Sequence, residues 1–429
     1  MQNKIFKNYF IKNLIIFLFT LGLISIIYFL LTDEKLLPET KLFIEQSSPI
    51  NRDNNAYYYL LGIGVAEGHQ PQLEGKKLYA ECLYWHQNYK KFQKQNIIFQ
   101  LTDELSVPQI TISCRQDDNI CYQDLFSHTA DKMSLLKKYS TLLERYHFYL
   151  GFKNEQTLTN GITSPIPLYM NLKKANDLMM ISAIDQAKRK NIDKAIKIIE
   201  KNITLTRRKL AQADNLITKM FYTKLIVSNL DILSLITHTY GYNKDIYIAP
   251  LSSAELDFTK VAKYEVVYMF DTFNKIKNDE LNCGDEWLCT IRVKFLLKPN
   301  LTLNAVYSSL QSLIEISHES NLELTKFVQQ QKKQKISFNA LKNILGEVSK
   351  QDRNYAVYLQ RIFSLNAKIQ MLNATINKKT INDATLEHIS NPYFKDKRKT
   401  AFFGNNPTVI CFEEPIRQDE NITCLKITL

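Results

Sequence analysis

The sequence predicts a mainly α-helical protein: an N-terminal transmembrane helix, a helix-hairpin exported domain and a small C-terminal β-hairpin tied by a disulfide. Three observations predict it. Leu14–Thr32 is an apolar run without a charge. Beyond it, apolar residues recur at three- and four-residue spacing, while Gly and Pro number only 11 each, too few for a sandwich or barrel built from many tight turns. Six of the seven cysteines fall into three local pairs, the pattern of disulfides that close short loops in an oxidising compartment.

The run of nineteen residues from Leu14 to Thr32 would reach roughly 28 Å as a helix, about the hydrocarbon thickness of a bilayer. Lys4, Lys7 and Lys12 precede it, and Asp33, Glu34 and Lys35 close it. The lysines place residues 1–13 in the cytoplasm and everything after Thr32 outside. The run is longer than a signal-peptide core, and its exit, Tyr28–Glu34, carries no small-x-small cleavage pattern. An uncleaved anchor over 14–32 is therefore expected, in the inner membrane, with the bulk of the chain periplasmic. No later stretch reads as a span, because Asp231 and His238 interrupt the apolar residues of Leu230–Thr239. Net charge is +12, and +9 remains once the three leading lysines are set aside. That balance suits anionic headgroups, an envelope protein or an acidic envelope polymer as partner. Nucleic acid is excluded by the compartment.

Residues 33–54 read as a linker with a short helix, 55–390 as the helical domain and 391–429 as a loop and hairpin tail. In Asn55-Ala-Tyr-Tyr-Tyr-Leu-Leu-Gly62, with Gly64, Gly68 and Gly75 following, backbone turns and close packing are expected. Gly62-x-Gly64 is not a nucleotide loop, since neither GxGxxG nor GK[S/T] follows. Leu78–Phe92 is amphipathic. Val107–Cys114 and Cys121 bracket a polar segment that is either a disulfide-closed hairpin or a loop into a helix. Met133, Leu136, Tyr139, Leu142, Tyr146 and Leu150 mark a helix that ends at Gly151.

Leu178–Ala187 and Ile192–Ile203 carry apolar stripes on either side of a Lys190-Asn191 turn, a helical hairpin. Lys190-Asn-Ile-Asp-Lys-Ala195 resembles the start of the second helix of a tetratricopeptide unit, Gly-x-[Tyr/Phe]-x-x-Ala. Only Ala195 matches outright, with Lys190 in place of Gly and Ile192 in place of the aromatic. The resemblance covers about thirty residues without the array recurrence, so a generic helix pair is the reading. A long helix is predicted over about 214–240 with Gly241 as its stop. The next is capped by Ser253 and carries Val261, Tyr264, Tyr268 and Phe270. Further helices are predicted from Pro299 to Ile316 and over about 320–332, 337–349 and 354–376. Thr408–Phe412 and Thr423–Ile427 have strand composition, which makes the terminal hairpin. The expected disulfides are Cys114–Cys121, Cys283–Cys289 and Cys411–Cys424, with Cys82 left over as a buried thiol.

The anchor, the Asn-Ala-Tyr-Tyr-Tyr segment, Leu142-Leu-Glu-Arg-Tyr146 and the Asn391-Pro-Tyr393 tail together resemble anchored helical envelope proteins of Gram-negative bacteria. The resemblance implies an envelope location and no particular chemistry.

No catalytic, cofactor or metal motif is found, and no cofactor is expected. The seven histidines form neither HExxH nor a pair at metal spacing. Cys114-x6-Cys121 and Cys283-x5-Cys289 do not match zinc spacing. Ser134-Leu-Leu-Lys137 lacks the Ser-Asp-Asn and Lys-Thr-Gly motifs that accompany it in penicillin-binding enzymes. Glu265 and Asp271 stand near aromatics on a helix and are the nearest approach to a carboxylate pair for glycoside hydrolysis. The densest basic patch runs from Lys188 to Lys209, and within it Lys190, Lys194, Lys197 and Lys201 share one helical face as a candidate partner-binding surface. Asn202, Asn300, Asn373 and Asn421 begin N-x-[S/T] sequons. The expected function is a membrane-anchored periplasmic binding or scaffold protein. The alternatives are an envelope hydrolase acting on a cell-wall polymer and a structural subunit of a membrane machine.

Overall fold

A computed structural model describes residues 13, 16–22, 32–46, 54–88, 101, 104–108, 114, 118–127, 129–158, 164–242, 244–277, 298–333, 348–378, 380–394, 401–403, 408–416 and 422–429. After the apolar run come α1 (Pro38–Glu45) and a close pair, α2 (Ala56–Gly62) and α3 (Pro71–Gln87). Next, α4 (Asn119–Ser127), α5 (Thr129–Lys138) and α6 (Ser140–Gly151) lead to the long helices α7 (Tyr169–Lys188), α8 (Ile192–Gln212) and α9 (Leu216–Thr239). Then follow α10 (Ser253–Leu256), α11 (Thr259–Lys277), α12 (Pro299–Ser317), α13 (Asn321–Lys333), α14 (Val348–Thr375) and α15 (Asp383–Leu386). An antiparallel sheet of order β1-β2-β3 ends the chain, with β1 at Phe402–Phe403, β2 at Val409–Cys411 and β3 at Leu425–Lys426.

Helix α9 is the centre of the core. It packs against α7, α8, α11, α14 and β3, and Tyr222, Ile226, Leu230, Leu233 and Ile236 are fully buried. An α-helix that is apolar on every side needs cover all round, and five neighbours supply it. Among the described residues α9 is the one helix long and apolar enough to cross a membrane, which corrects the expectation that no later stretch would qualify. Its charge falls where the fold can neutralise it. Asp231 pairs with the buried Lys368 of α14 at 2.6 Å and accepts the Lys426 N–H of β3 at 3.0 Å.

The helices α7 and α8 form the predicted hairpin. Its turn sets Lys190 at φ +63°, the left-handed conformation that glycine adopts without a Cβ clash. Gly241 stops α9 at φ +61°, as predicted. Residues 334–347, which hold most of the helix expected over 337–349, lie outside the described residues. Cys283 and Cys289 lie outside them as well.

Several expectations are corrected. Residues 56–62 are a helix rather than a run of turns, because Asn55 caps it by accepting the Tyr57 N–H at 3.1 Å. The close packing expected there is real: a Cβ on Gly75 would stand 1.7 Å from the Tyr58 carbonyl oxygen, and one on Gly62 would stand 2.0 Å from that of Pro71. The α2 and α3 backbones thus touch where glycine leaves room. The helix expected through 133–150 is broken at Tyr139 into α5 and α6. Cys121 lies inside α4, so its segment is a loop into a helix. The cap before α10 is Ser252, one residue earlier than predicted, with its N–H and hydroxyl donating to Glu255 at 2.7 and 2.8 Å. Phe402–Phe403 adds a third strand to the terminal hairpin. The Cys114–Cys121 and Cys411–Cys424 disulfides are both formed, and Cys82 is a buried thiol.

The start of the predicted linker is held tightly. Asp33 accepts the N–H groups of Asn300 and Leu301 at 3.0 and 3.2 Å, supplying the first turn of α12 with the acceptor its unpaired donors need. Asn304 holds the Lys35 carbonyl and the Leu37 N–H at 3.0 Å each. Helix α1 then packs on α11 and α12. The predicted anchor over 14–32 lies mostly outside the described residues. Residues 16–22 are described, and they are helical and exposed, with Phe17 60% and Phe19 70% accessible.

Candidate functional site

A pocket of about 320 Å³ opens where six parts of the chain meet. The chain after α6 contributes Thr157 and Pro165–Pro167, α9 contributes its first turn, α11 contributes Tyr264, Glu265 and Tyr268, and α14 contributes Tyr358. Tyr57 of α2 and Tyr169 of α7 complete a lining with five tyrosines.

Each wall has a local cause. Asn55 fixes the segment after α6, accepting the Gln156 N–H at 3.0 Å and donating to its carbonyl at 2.6 Å. Tyr57 donates its hydroxyl to the Pro165 carbonyl at 3.0 Å. Asp214 accepts the Thr157 N–H and hydroxyl at 2.7 Å each. Asn215 caps α9 by accepting the Thr218 N–H at 2.9 Å, and the hydroxyls of Tyr169 and Thr218 are hydrogen-bonded. On α11, Tyr264 and Tyr268 are one helical turn apart, and their rings stack with centroids 6.1 Å apart.

Glu265 is the acidic residue in the lining. It accepts the Leu216 N–H at the start of α9 at 3.3 Å. Burial pushes its carboxyl up to about 7, against the pull of that one hydrogen bond. Burial also pushes Asp214 up to about 6, with the Thr157 hydrogen bonds opposing. Tyr268 is raised by burial and by the charge of Glu265. Asp271, the other acid expected beside aromatics, does not line the pocket.

A second cavity, about 250 Å³, opens beside Glu67, Glu104 and Lys138, and there Glu67 accepts the Thr141 hydroxyl at 2.8 Å. Close by, Arg145 is buried and donates to the carbonyls of Ile63, Val65, Ala66 and His69. The Leu142–Tyr146 motif therefore serves the fold: Arg145 ties the turn after α2, while Tyr146 donates to Asn202 at 3.0 Å. The Asn391–Tyr393 motif is structural too, with the Tyr393 hydroxyl bonded to Ser364 at 2.8 Å and to the Gln360 carbonyl at 3.2 Å.

The basic patch divides. Lys190, Lys194, Lys197 and Lys201 are all exposed, but Lys190 belongs to the turn, so the helical face of α8 carries three of the four. The rest hold the fold together. Arg207 grips Glu255 at 2.6 and 2.7 Å. Lys188 donates to the Phe126 carbonyl at 2.8 Å and Arg208 to that of Leu150. Lys209 is buried against Glu155 at 2.9 Å. Ser134 and Lys137 are exposed on α5 and line neither cavity. Among the described residues no group of three or more His, Cys, Asp or Glu converges as metal ligands.

No protein-family model, no curated protein and no solved structure matches the chain.

Proposed function

We propose that the chain is a single-pass protein of a bacterial inner membrane, anchored by Leu14–Thr32, whose exported helical body is a binding module with the tyrosine-lined pocket as its ligand site. The observation that carries this reading is the pocket: a concave lining of mainly apolar and aromatic residues assembled from separate elements, with a few polar groups, is the usual form of a small-ligand site. The anchor is supported by the charge-free run and by the exposure of Ile16–Gly22. An apolar helix with no protein around it belongs in lipid. The two disulfides fit an oxidising compartment.

The rival reading is an envelope hydrolase. It draws on Glu265, an acid raised to about 7 in a pocket, which is how a general acid is prepared. Such an enzyme needs a second carboxylate facing the same bond.

Two experiments test the proposal. Protease added to spheroplasts should digest the chain beyond Thr32, and protection of the body until the inner membrane is lysed would overturn the topology. Ligand-observed NMR on the detergent-solubilised full chain, with p-cresol and methyl glycosides as probes, should show binding that Ile217→Trp abolishes. Ile217 lies in the lining, is 60% exposed and can be enlarged without disturbing the core. Binding indifferent to Ile217→Trp would remove the pocket as the site. Turnover of cell-wall glycan fragments that is lost in Glu265→Gln would favour the hydrolase.

A further inference from the structure

Acids in this protein are consistently given an internal cation. Among the described residues four acids are buried, Asp177, Asp185, Asp231 and Glu255. They pair with Lys173, Arg189, Lys368 and Arg207 at 2.6 to 2.8 Å. The side chain of Glu155 is also enclosed and meets Lys209 at 2.9 Å. Where a cation is missing, hydrogen bonds replace it, as at Asp214, which takes the N–H and hydroxyl of Thr157 and the amide of Asn215. Such pairing follows from the large penalty for withdrawing a bare carboxylate from water.

Glu265 departs from that pattern. Among the described residues its carboxylate has one hydrogen bond, the long one from Leu216. Among the described residues no Lys, Arg or His lines the pocket. Arg361 lies over the ring of Tyr358, 5.6 Å from its centroid, but is not in the lining and also acts on the Glu414 carboxyl. Around the uncompensated carboxylate stand tyrosine rings, whose electron-rich faces attract cations and not anions. An anionic ligand would be repelled by Glu265, and a neutral one would leave the carboxylate uncompensated.

We propose that the pocket takes a ligand bearing an ammonium group, with Glu265 as the counter-charge and the surrounding tyrosines as the cation-binding wall. This inference rests on the reading of the pocket as the ligand site. The ligand completes what the fold supplies internally at Asp177, Asp185, Asp231 and Glu255. A space of about 320 Å³ accommodates an amine with a small organic body.

The test uses pairs of equal shape that differ in charge: choline against 3,3-dimethyl-1-butanol, and benzylamine against benzyl alcohol. Each is titrated calorimetrically into the detergent-solubilised full chain at pH 8. At least one charged member should bind ten-fold or more tighter than its neutral partner. Glu265→Gln should erase that preference while leaving the neutral partner's affinity in place, in a protein that melts no lower than wild type. Ile217→Trp should abolish binding of both members. Equal binding of charged and neutral members overturns the ammonium assignment and keeps the pocket as a ligand site. A charge preference that survives Glu265→Gln overturns it too. Charged binding untouched by Ile217→Trp overturns the pocket reading itself. Absence of binding by both charged members overturns the ammonium assignment, and the neutral probes then decide the pocket separately.

Discussion

Leu14–Thr32 and α9 are both apolar stretches long enough to cross a bilayer, and their described residues are placed oppositely. Residues 16–22 are exposed on every side, whereas α9 is enclosed by helices and a strand. Composition separates them in part, since α9 carries Lys219, Lys224 and Asp231. The difference lies in the few polar residues and in what meets them. In α9, Asn229, Asp231, Ser234 and Thr237 are buried, and Asp231 has Lys368 and the Lys426 N–H to receive it. Leu14–Thr32 carries no charge at all. Apolar length makes a helix able to enter a membrane, and a charge matched to protein partners, as at Asp231, marks the one that stays in a core.

The sharpest way to break this contrast is to remove the match. Asp231→Ala leaves Lys368 buried without its counter-charge and should destabilise the body by about 3–5 kcal/mol, read from urea unfolding. Phe19→Asp in the other stretch should leave that unfolding curve within about 0.5 kcal/mol of wild type while moving the protein from the membrane to the soluble fraction.

A second test lies at the first turn of α9. An acid whose folded pKa is raised keeps its proton in the folded state after the unfolded chain has lost it. The folded state is therefore disfavoured as pH rises from about 4.5 to about 7. Glu265→Gln removes this term. The variant should match wild type near pH 4 and exceed it by about 2 kcal/mol at pH 8, after discounting for the partial exposure of the side chain. Some fall in stability with pH should persist in the variant through Asp214, which is raised in the same direction.

Smaller effects test the junctions. Asp33→Ala removes the acceptor that ties the end of the apolar run to α12 and should cost about 1 kcal/mol, with faster hydrogen exchange at Asn300 and Leu301 as its local signature. Lys190→Gly relieves a left-handed residue between α7 and α8 and should stabilise by about 0.5 kcal/mol, seen as a small rise in Tm.

The helices from 169 to 239 were legible because their apolar stripes are long and periodic, and Gly241 and Pro299 punctuate as their chemistry requires. The α2 segment was missed because glycines ordinarily signal turns. Here Gly62 and Gly75 serve close packing instead, a use that becomes visible only once both helices are placed. The pocket was legible only at Glu265, flagged beside aromatics. Its other walls come from residues 57, 157, 164–167, 169, 215–217, 264, 268 and 358, and no local pattern brings such distant segments together. Within the basic patch, sequence shows which residues are cationic but not that Arg207 and Lys209 are already engaged by Glu255 and Glu155.

The order of the chain gives the Asp231 pairing a further consequence. For an exported chain threaded N-terminus first, α9 leaves the translocation channel well before α14 and β3, which later enclose it. During that interval it is a bare apolar helix beside a channel that can open sideways into lipid. A central Asp disfavours such lateral entry by roughly 2.5–3.5 kcal/mol. Asp231 would thus deter membrane integration while the helix waits, and be neutralised by Lys368 once the rest of the chain arrives.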